Sequence, residues 1–423
     1  MTNTKPRSAF WASFGPGILF AGAAIGTSHL VQSTRAGAMF GLGLLGIVIV
    51  ANILKYPAFR FGPQYAAATG RSLIEGYRDL GRWVVGLYLL SEVGVMAIVL
   101  AATGLVTAAI LLAVSGIEAE ARYAAIVLIV LGVFVLGIGG FKLLDRLTKV
   151  FVLILTIATV IATVVSLPRI EWDFAQIVFP FSDVQTFGFV IALMGFMPSA
   201  LDLSLLQSLW SVAKQKASGV KPSMKHAMTD FNIGYLGSAG LAICFLLMGA
   251  GVMHTSGEAP AANSAEFAGQ VIALYTTNLG DWAGTVVGVA AVFVMFTTLI
   301  TILDGFPRLL ATGVMAFNSN NSENAVVVDR SPLLYLCIAA LVIGATTTLL
   351  WLMGNFQSFI DMVTITAFIV GPITALLNHI VIVSNAVPPE HRPSRLMQVW
   401  SMVGIVVLSL LAVTYLYMRL TSA

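Results

Sequence analysis

A chain of 423 residues in which 58% of the side chains are apolar and only 10% are charged, at a mean hydropathy of +0.94, lies outside the composition of soluble domains and belongs in a bilayer. The formal net charge of +3 is too small, and the basic residues too free of interleaved aromatics, for a nucleic-acid partner.

Apolar runs long enough to cross about 30 Å of hydrocarbon recur along the whole chain and leave no room for a sizeable soluble domain. The basic start MTNTKPRSAF followed by ILFAGAA has the look of a short signal peptide, but the apolar segment continues past it, as in a first helix inserted without cleavage. In chain order the spans read 14–40, 42–66, 83–113, 122–140, 148–167, 186–212, 231–253, 281–305, 332–353, 358–384 and 397–418, eleven in all. Most connections are short; the longest follow spans six and eight, and the second of these holds an Asn/Ser cluster that reads as a mobile loop.

Placing the N-terminus inside collects Lys55, Arg60, Arg71, Arg78, Arg82, then Lys142, Arg146, Lys149, then Lys214, Lys216, Lys221, Lys225, and later Arg308, Arg330, Arg392 and Arg395 on one side. Only Arg122, Arg169 and Arg419 remain on the other. The positive-inside rule then sets a cytoplasmic N-terminus and an extracytoplasmic C-terminus, in a bacterial inner (plasma) membrane.

Spans one and six carry polar breaks: IGTSH in the first and GFMPSALD in the sixth, where Pro198 removes an amide donor and disfavours helix at Met197. They lie five spans apart, and because five is odd the two five-span units run in opposite directions, the arrangement of inverted-repeat transporters with a midplane site. The expected fold is an all-α polytopic membrane protein, a single transport domain over 1–423, with repeat one at about 14–167, repeat two at about 186–384 and an extra helix at about 397–418. Backbone groups released from a helix cost several kcal/mol in hydrocarbon unless protein, water or a ligand meets them, so a double break points to a cavity.

The stretch GPGILFAGAAIGTSHLVQSTRAGAMFG at 15–41, followed by LLGIVIVAN and ATGRSLIEGYR, resembles the opening of the Nramp divalent-metal transporters. The Met197–Pro198 pair and DGF at Asp304 to Phe306 are similar to later family motifs. The resemblance implies a LeuT-type inverted repeat of eleven or twelve spans, importing manganese or iron in symport with protons. Where the family reads Asp-Pro-Gly-Asn, this chain has Gly26, Thr27, Ser28 and His29, so the metal-binding carboxylate is absent. The sixth span keeps a thioether at Met197 but has Ser199 in place of a histidine. In the third span Glu92 matches a family acid, while Val99 and Ala102 stand where two acids of the proton route would follow.

The candidate substrate site is therefore Gly26, Thr27, Ser28, His29, Met194 and Met197. A neutral imidazole can bind a borderline metal or hydrogen-bond a freed carbonyl, and two thioethers one turn apart can favour a soft ion or simply fill the core. Glu92, Arg35, Asp202 and Asp361 are candidates for a proton or ion pathway, since charges inside a membrane are functional by default, with Arg35 facing either acid as a structural pair or a gate. Thr297, Thr298 and Thr301 form a possible sodium site in span eight, although such hydroxyls more often bond their own helix. Thr364, Thr366 and Asn378 in span ten could line the same cavity.

Cys244 and Cys337 lie mid-span and read as small core side chains. No hydrolase triad, phosphate loop or zinc spacing is present, and no enzyme is expected. The reading is a secondary transporter of a divalent cation, monomeric in the lipid bilayer, with no cofactor other than a transported metal ion and with weak proton coupling. The alternative is a sodium- or proton-coupled carrier of a small organic solute or anion, attracted by the free helix N-terminus after the break. Two aligned breaks weigh against a third class, an inert scaffold or receptor-like sensor.

Overall fold

The structure, a computed structural model, describes residues 15–138, 141–172, 183–319 and 331–421, with backbone alone for 141–149. The basic start at 1–10, most of the Asn/Ser-rich loop and Arg330 lie outside the described residues. Pro16 opens the first helix, α1 (Pro16–Ala24), at a position where its missing amide would be unpaired in any helix. Ile25 and Gly26 leave helical geometry, the chain resumes as a wide π-type turn over Thr27–Ser33, and α2 follows (Thr34–Phe40). Sequence placed the break over IGTSH; the structure confines it to two residues, because the π-type turn re-engages the backbone from Thr27.

Next come α3 (Leu45–Thr69), the short α4 (Leu73–Leu80), α5 (Arg82–Ser115), α6 (Ala121–Gly137) and α7 (Phe141–Ser166). The sixth span is divided into α8 (Val184–Gly195) and α9 (Leu203–Ser218). Then follow α10 (Met224–Met248), α11 (Ser264–Leu279), α12 (Trp282–Asn318), α13 (Pro332–Thr347), α14 (Phe356–Val383) and α15 (Arg395–Thr421). Among the described residues, eight helical segments are long and apolar enough to cross a membrane, and α6 and α8 are shorter apolar helices.

Two helices were not anticipated. In α4, Ser72 and Glu75 form a reciprocal capping box that stabilises a turn too short to register in hydropathy. In α11, sixteen residues capped by Asn263 present Phe267, Val271, Leu274 and Tyr275 inward while Glu266 and Gln270 face out, an amphipathic rather than a continuous apolar pattern.

Small residues set the packing around span one. A Cβ at Gly17 would overlap the carbonyl of Asp230, and one at Gly37 the carbonyl of Leu246, so both halves of the broken span lie backbone-to-backbone against α10. Asp230 fixes the start of α1 by accepting the amides of Gly15 at 3.1 Å and Gly17 at 2.6 Å. The outer faces stay apolar, with Leu90, Val127, Phe134, Leu336 and Val413 exposed, and α15 buries only 28% of its most apolar window. A helix apolar on its exposed face as well as its packed one is built for lipid.

Candidate functional site

At the first break the freed backbone finds local partners. Ser28 Oγ donates to Ala24 O at 2.7 Å across the interruption, and Leu30 N returns to Gly26 O at 3.0 Å. His29 turns away from the break: its Nε2 donates to Ser238 O on α10 at 2.9 Å, and its Nδ1 pairs with Ser28 Oγ at 2.6 Å. Thr27 Oγ1 is buried with no hydrogen-bond partner among the described residues.

The second break frees carbonyls at the C-terminus of α8. Two of them and one carbonyl within the break converge on one ammonium: Lys55 Nζ, from α3, donates to Met194 O at 2.5 Å, Gly195 O at 2.7 Å and Ser199 O at 3.4 Å. Lys55 is 2% exposed, so it is not the loop charge that the positive-inside count made of it. Its position ten residues into α3 was the available signal, since an ionisable side chain inside a span is a functional candidate by default.

Between the breaks lies a cavity of about 40 Å³. Gly26, Thr27 and Ser28 line it from span one, Ser199 and Asp202 from span six, and Thr298 from α12. Val99, Phe196 and Phe306 supply apolar wall. Asp202 Oδ2 is buried there without a hydrogen-bond partner among the described residues, and its carboxylate interacts electrostatically with Lys55 and with Glu92. A buried carboxylate oxygen with no hydrogen bond costs roughly 1–3 kcal/mol, more when charged, unless a cation or water meets it.

Beyond the first break, α2 carries a polar cluster. Arg35 makes two bonds to Asp361, Nη1 to Oδ1 at 2.6 Å and Nη2 to Oδ2 at 3.1 Å, and its guanidinium lies 5.0 Å over the Phe189 ring. Gln32 completes the cluster, accepting from Arg35 and donating to Asp361 and Thr364. Arg35 thus takes Asp361 and not Asp202, because Arg35 sits beyond the first break on α2 while Asp202 starts α9 on the other side of the second. Toward the opposite end a wider space of about 620 Å³ lies between α4, α9 and α12, and Leu206 lines both it and the smaller cavity.

The remaining candidates divide clearly. Met194 and Met197 are buried in a core cluster with Phe189 and Phe368, Met197 Sδ meeting Ser33 Oγ at 3.8 Å, and neither lines the cavity. Glu92 is buried on α5 and accepts from Thr374 Oγ1 at 2.7 Å, outside the cavity wall. Thr297 and Thr301 bond carbonyls of their own helix, whereas Thr298 also reaches across to Gly22 O at 2.8 Å. Thr364 joins the Gln32 cluster, Thr366 bonds its own helix, and Asn378 links Ala58 O with Ser204 Oγ. Among the described residues no three His, Cys, Asp or Glu side chains converge as a metal-binding group. The donors at the cavity are one carboxylate, hydroxyls and backbone oxygens, a hard set suited to a small cation.

The model of the Nramp family, natural resistance-associated macrophage protein-like, matches residues 17–418. An uncharacterized protein of Pasteurella multocida (strain Pm70) is 32% identical over 406 residues, spanning 94% of this chain and 90% of its own. Among solved structures, the Eremococcus coleocola manganese transporter in complex with an aromatic bis-isothiourea substituted compound superposes with a TM-score of 0.64 at 14% identity, over 97% of this chain and 88% of that one. MhsT in complex with L-phenylalanine does so with a TM-score of 0.60 at 12% identity, over 99% and 100%. At such identities the structural likeness establishes the fold, an all-helical LeuT-type arrangement with broken first and sixth spans.

Proposed function

The chain belongs to the Nramp family of integral-membrane transporters, and on that premise we propose that it is a secondary transporter moving a divalent metal cation by alternating access around the cavity between the two breaks. The observation that carries this reading is the unpartnered Oδ2 of Asp202 at the junction of both broken spans. It supplies from span six the carboxylate that span one lacks at Gly26. Thr27 Oγ1, also unpartnered, and the hydroxyl of Ser199 stand beside it as neutral oxygen donors.

Size supports a cation over an organic solute. A water needs about 10–15 Å³ of such volume, so a cavity of about 40 Å³ holds an ion with two or three waters and has no room for an amino-acid-sized molecule. The Arg35–Asp361 pair would close one end and Leu206 with Phe306 the other, each opening in turn. The asymmetry of Lys and Arg supports a cytoplasmic N-terminus and import toward that side. Val99 on the cavity wall and buried Ala102 offer no titratable group, so metal-driven proton movement is expected to be weak.

The test is manganese uptake into proteoliposomes. Asp202→Asn should cut uptake at least tenfold while the protein stays folded by thermal denaturation, and Asp202→Glu should retain part of it. Undiminished uptake by Asp202→Asn would remove the site from consideration. Robust lumenal acidification on adding manganese would overturn the weak coupling.

A further inference from the structure

A cation already sits in the second break. The C-terminus of α8 ends at Gly195, where the last carbonyls lack the regular helical partner four residues on, Met194 O accepting instead from the Phe196 amide and from Met197 N at 3.3 Å, and the helix dipole leaves a partial negative charge. The oxygens of Met194, Gly195 and Ser199 converge there, three acceptors around one point, and the Lys55 ammonium with its three donors fills that point. The side chain is fully enclosed and comes from a different helix, α3, so nothing local to span six requires it. Neutral donors such as serine hydroxyls satisfy the comparable carbonyls at the first break.

Building on the metal-cation reading above, we propose that Lys55 is a tethered cation lodged in the carbonyl cage of broken span six. There it opposes divalent metal at the neighbouring Asp202 carboxylate, keeps that site weak and makes the cargo releasable. Lys55 and Asp202 interact electrostatically, so the ammonium offsets the one carboxylate charge available to the cargo. An arriving divalent ion meets Asp202 already balanced, and repulsion between an ammonium and a divalent ion is strong in a low-dielectric interior. Removing the positive charge takes away the repulsion that an arriving cation meets at Asp202 and exposes three oriented carbonyl oxygens, which together form a hard-cation site. Lys55 is therefore a specificity-determining residue whose effect is to weaken binding.

The experiment is calorimetric titration of manganese into the purified full-length protein, with Lys55→Met, Lys55→Gln and Lys55→Arg beside the wild type. Lys55→Met should bind manganese roughly tenfold tighter or more, Lys55→Gln should also gain, and Lys55→Arg, which keeps the charge, should match the wild type. Adding Asp202→Asn to Lys55→Met should erase the gain. If Lys55→Met fails to fold, Lys55→Gln against Lys55→Arg carries the comparison, since both keep donors for the carbonyls and differ in charge. Affinity unchanged or weakened on neutralising Lys55 overturns the proposal. A wild type that binds no manganese beside a neutral variant that does would support the Lys55 assignment while defeating metal as the native cargo. A wild type that binds and responds to Asp202→Asn, with neutral Lys55 variants no tighter, would leave the cargo reading standing and defeat the tethered cation.

Discussion

Neutralising Asp361 should release one end of the transport path. Arg35 is 3% exposed and Asp361 25%, and their two bonds are reinforced by Gln32 and by the Phe189 ring. Breaking a buried pair by removing one partner costs about 3–5 kcal/mol, because the survivor is left charged and unpaired. The partial exposure of Asp361, and the bond that Gln32 can still donate to an amide oxygen, bring the expected cost of Asp361→Asn down to about 2–3 kcal/mol. That cost falls on the closed state alone, so the ratio of closed to open molecules should drop about 30- to 150-fold. The assay is labelling of Thr27→Cys by a membrane-impermeant thiol reagent applied from the Arg35 side, in a Cys244→Ala, Cys337→Ala background. Thr27 lines the cavity, so if the ion pair holds that end shut its labelling rate reports how often the closure opens. A rate that does not change with Asp361→Asn would show that the ion pair does not hold this end shut.

Gly195→Ala should be poorly tolerated, since its Cβ would overlap the carbonyl of Thr364 and press on Phe368, forcing α8 away from α14. A loss of about 3 kcal/mol is expected, seen as a lowered midpoint of thermal unfolding in detergent, and near-wild-type stability would contradict the backbone-to-backbone approach. His29→Ala should lower that midpoint by the equivalent of about 1–3 kcal/mol, because it empties a packed site and removes the imidazole's bond to Ser238 O, while manganese affinity stays within about twofold of wild type. A tenfold loss of affinity at unchanged stability would instead make the imidazole a ligand.

Much of this fold was legible in the chain because it rests on local chemistry. Long apolar runs must pair their backbone within a helix in hydrocarbon, so the spans and their approximate ends follow from hydropathy alone. Pro198 and the polar run after Gly26 mark the two interruptions for the same reason, and the likeness of the first two spans to the Nramp family was carried by contiguous residues. Of the two helices that escaped, α4 shows only in its capping box, and α11 is amphipathic and short, so its signal lay in periodicity and not in mean apolarity.

What only the tertiary structure decided is where side chains on different spans point. Thr27, Ser28 and Asp202 meet at the cavity, whereas His29, Met194 and Met197, equally close to the breaks in sequence, turn into packing against α10 and the Phe189 cluster. Arg35 could have met either of two acids, and the choice of Asp361 depends on which half of a broken helix each occupies. Lys55 shows the limit most sharply: in the chain it is one more positive charge in a basic stretch, and in the fold it is a buried cation holding three carbonyls of the broken sixth span. Hydropathy and helix chemistry act over a few neighbouring residues and can be read in order. The direction of a side chain depends on helices 139 to 332 residues away in sequence, as the Lys55 and Gln32 bonds do, and only packing brings those together.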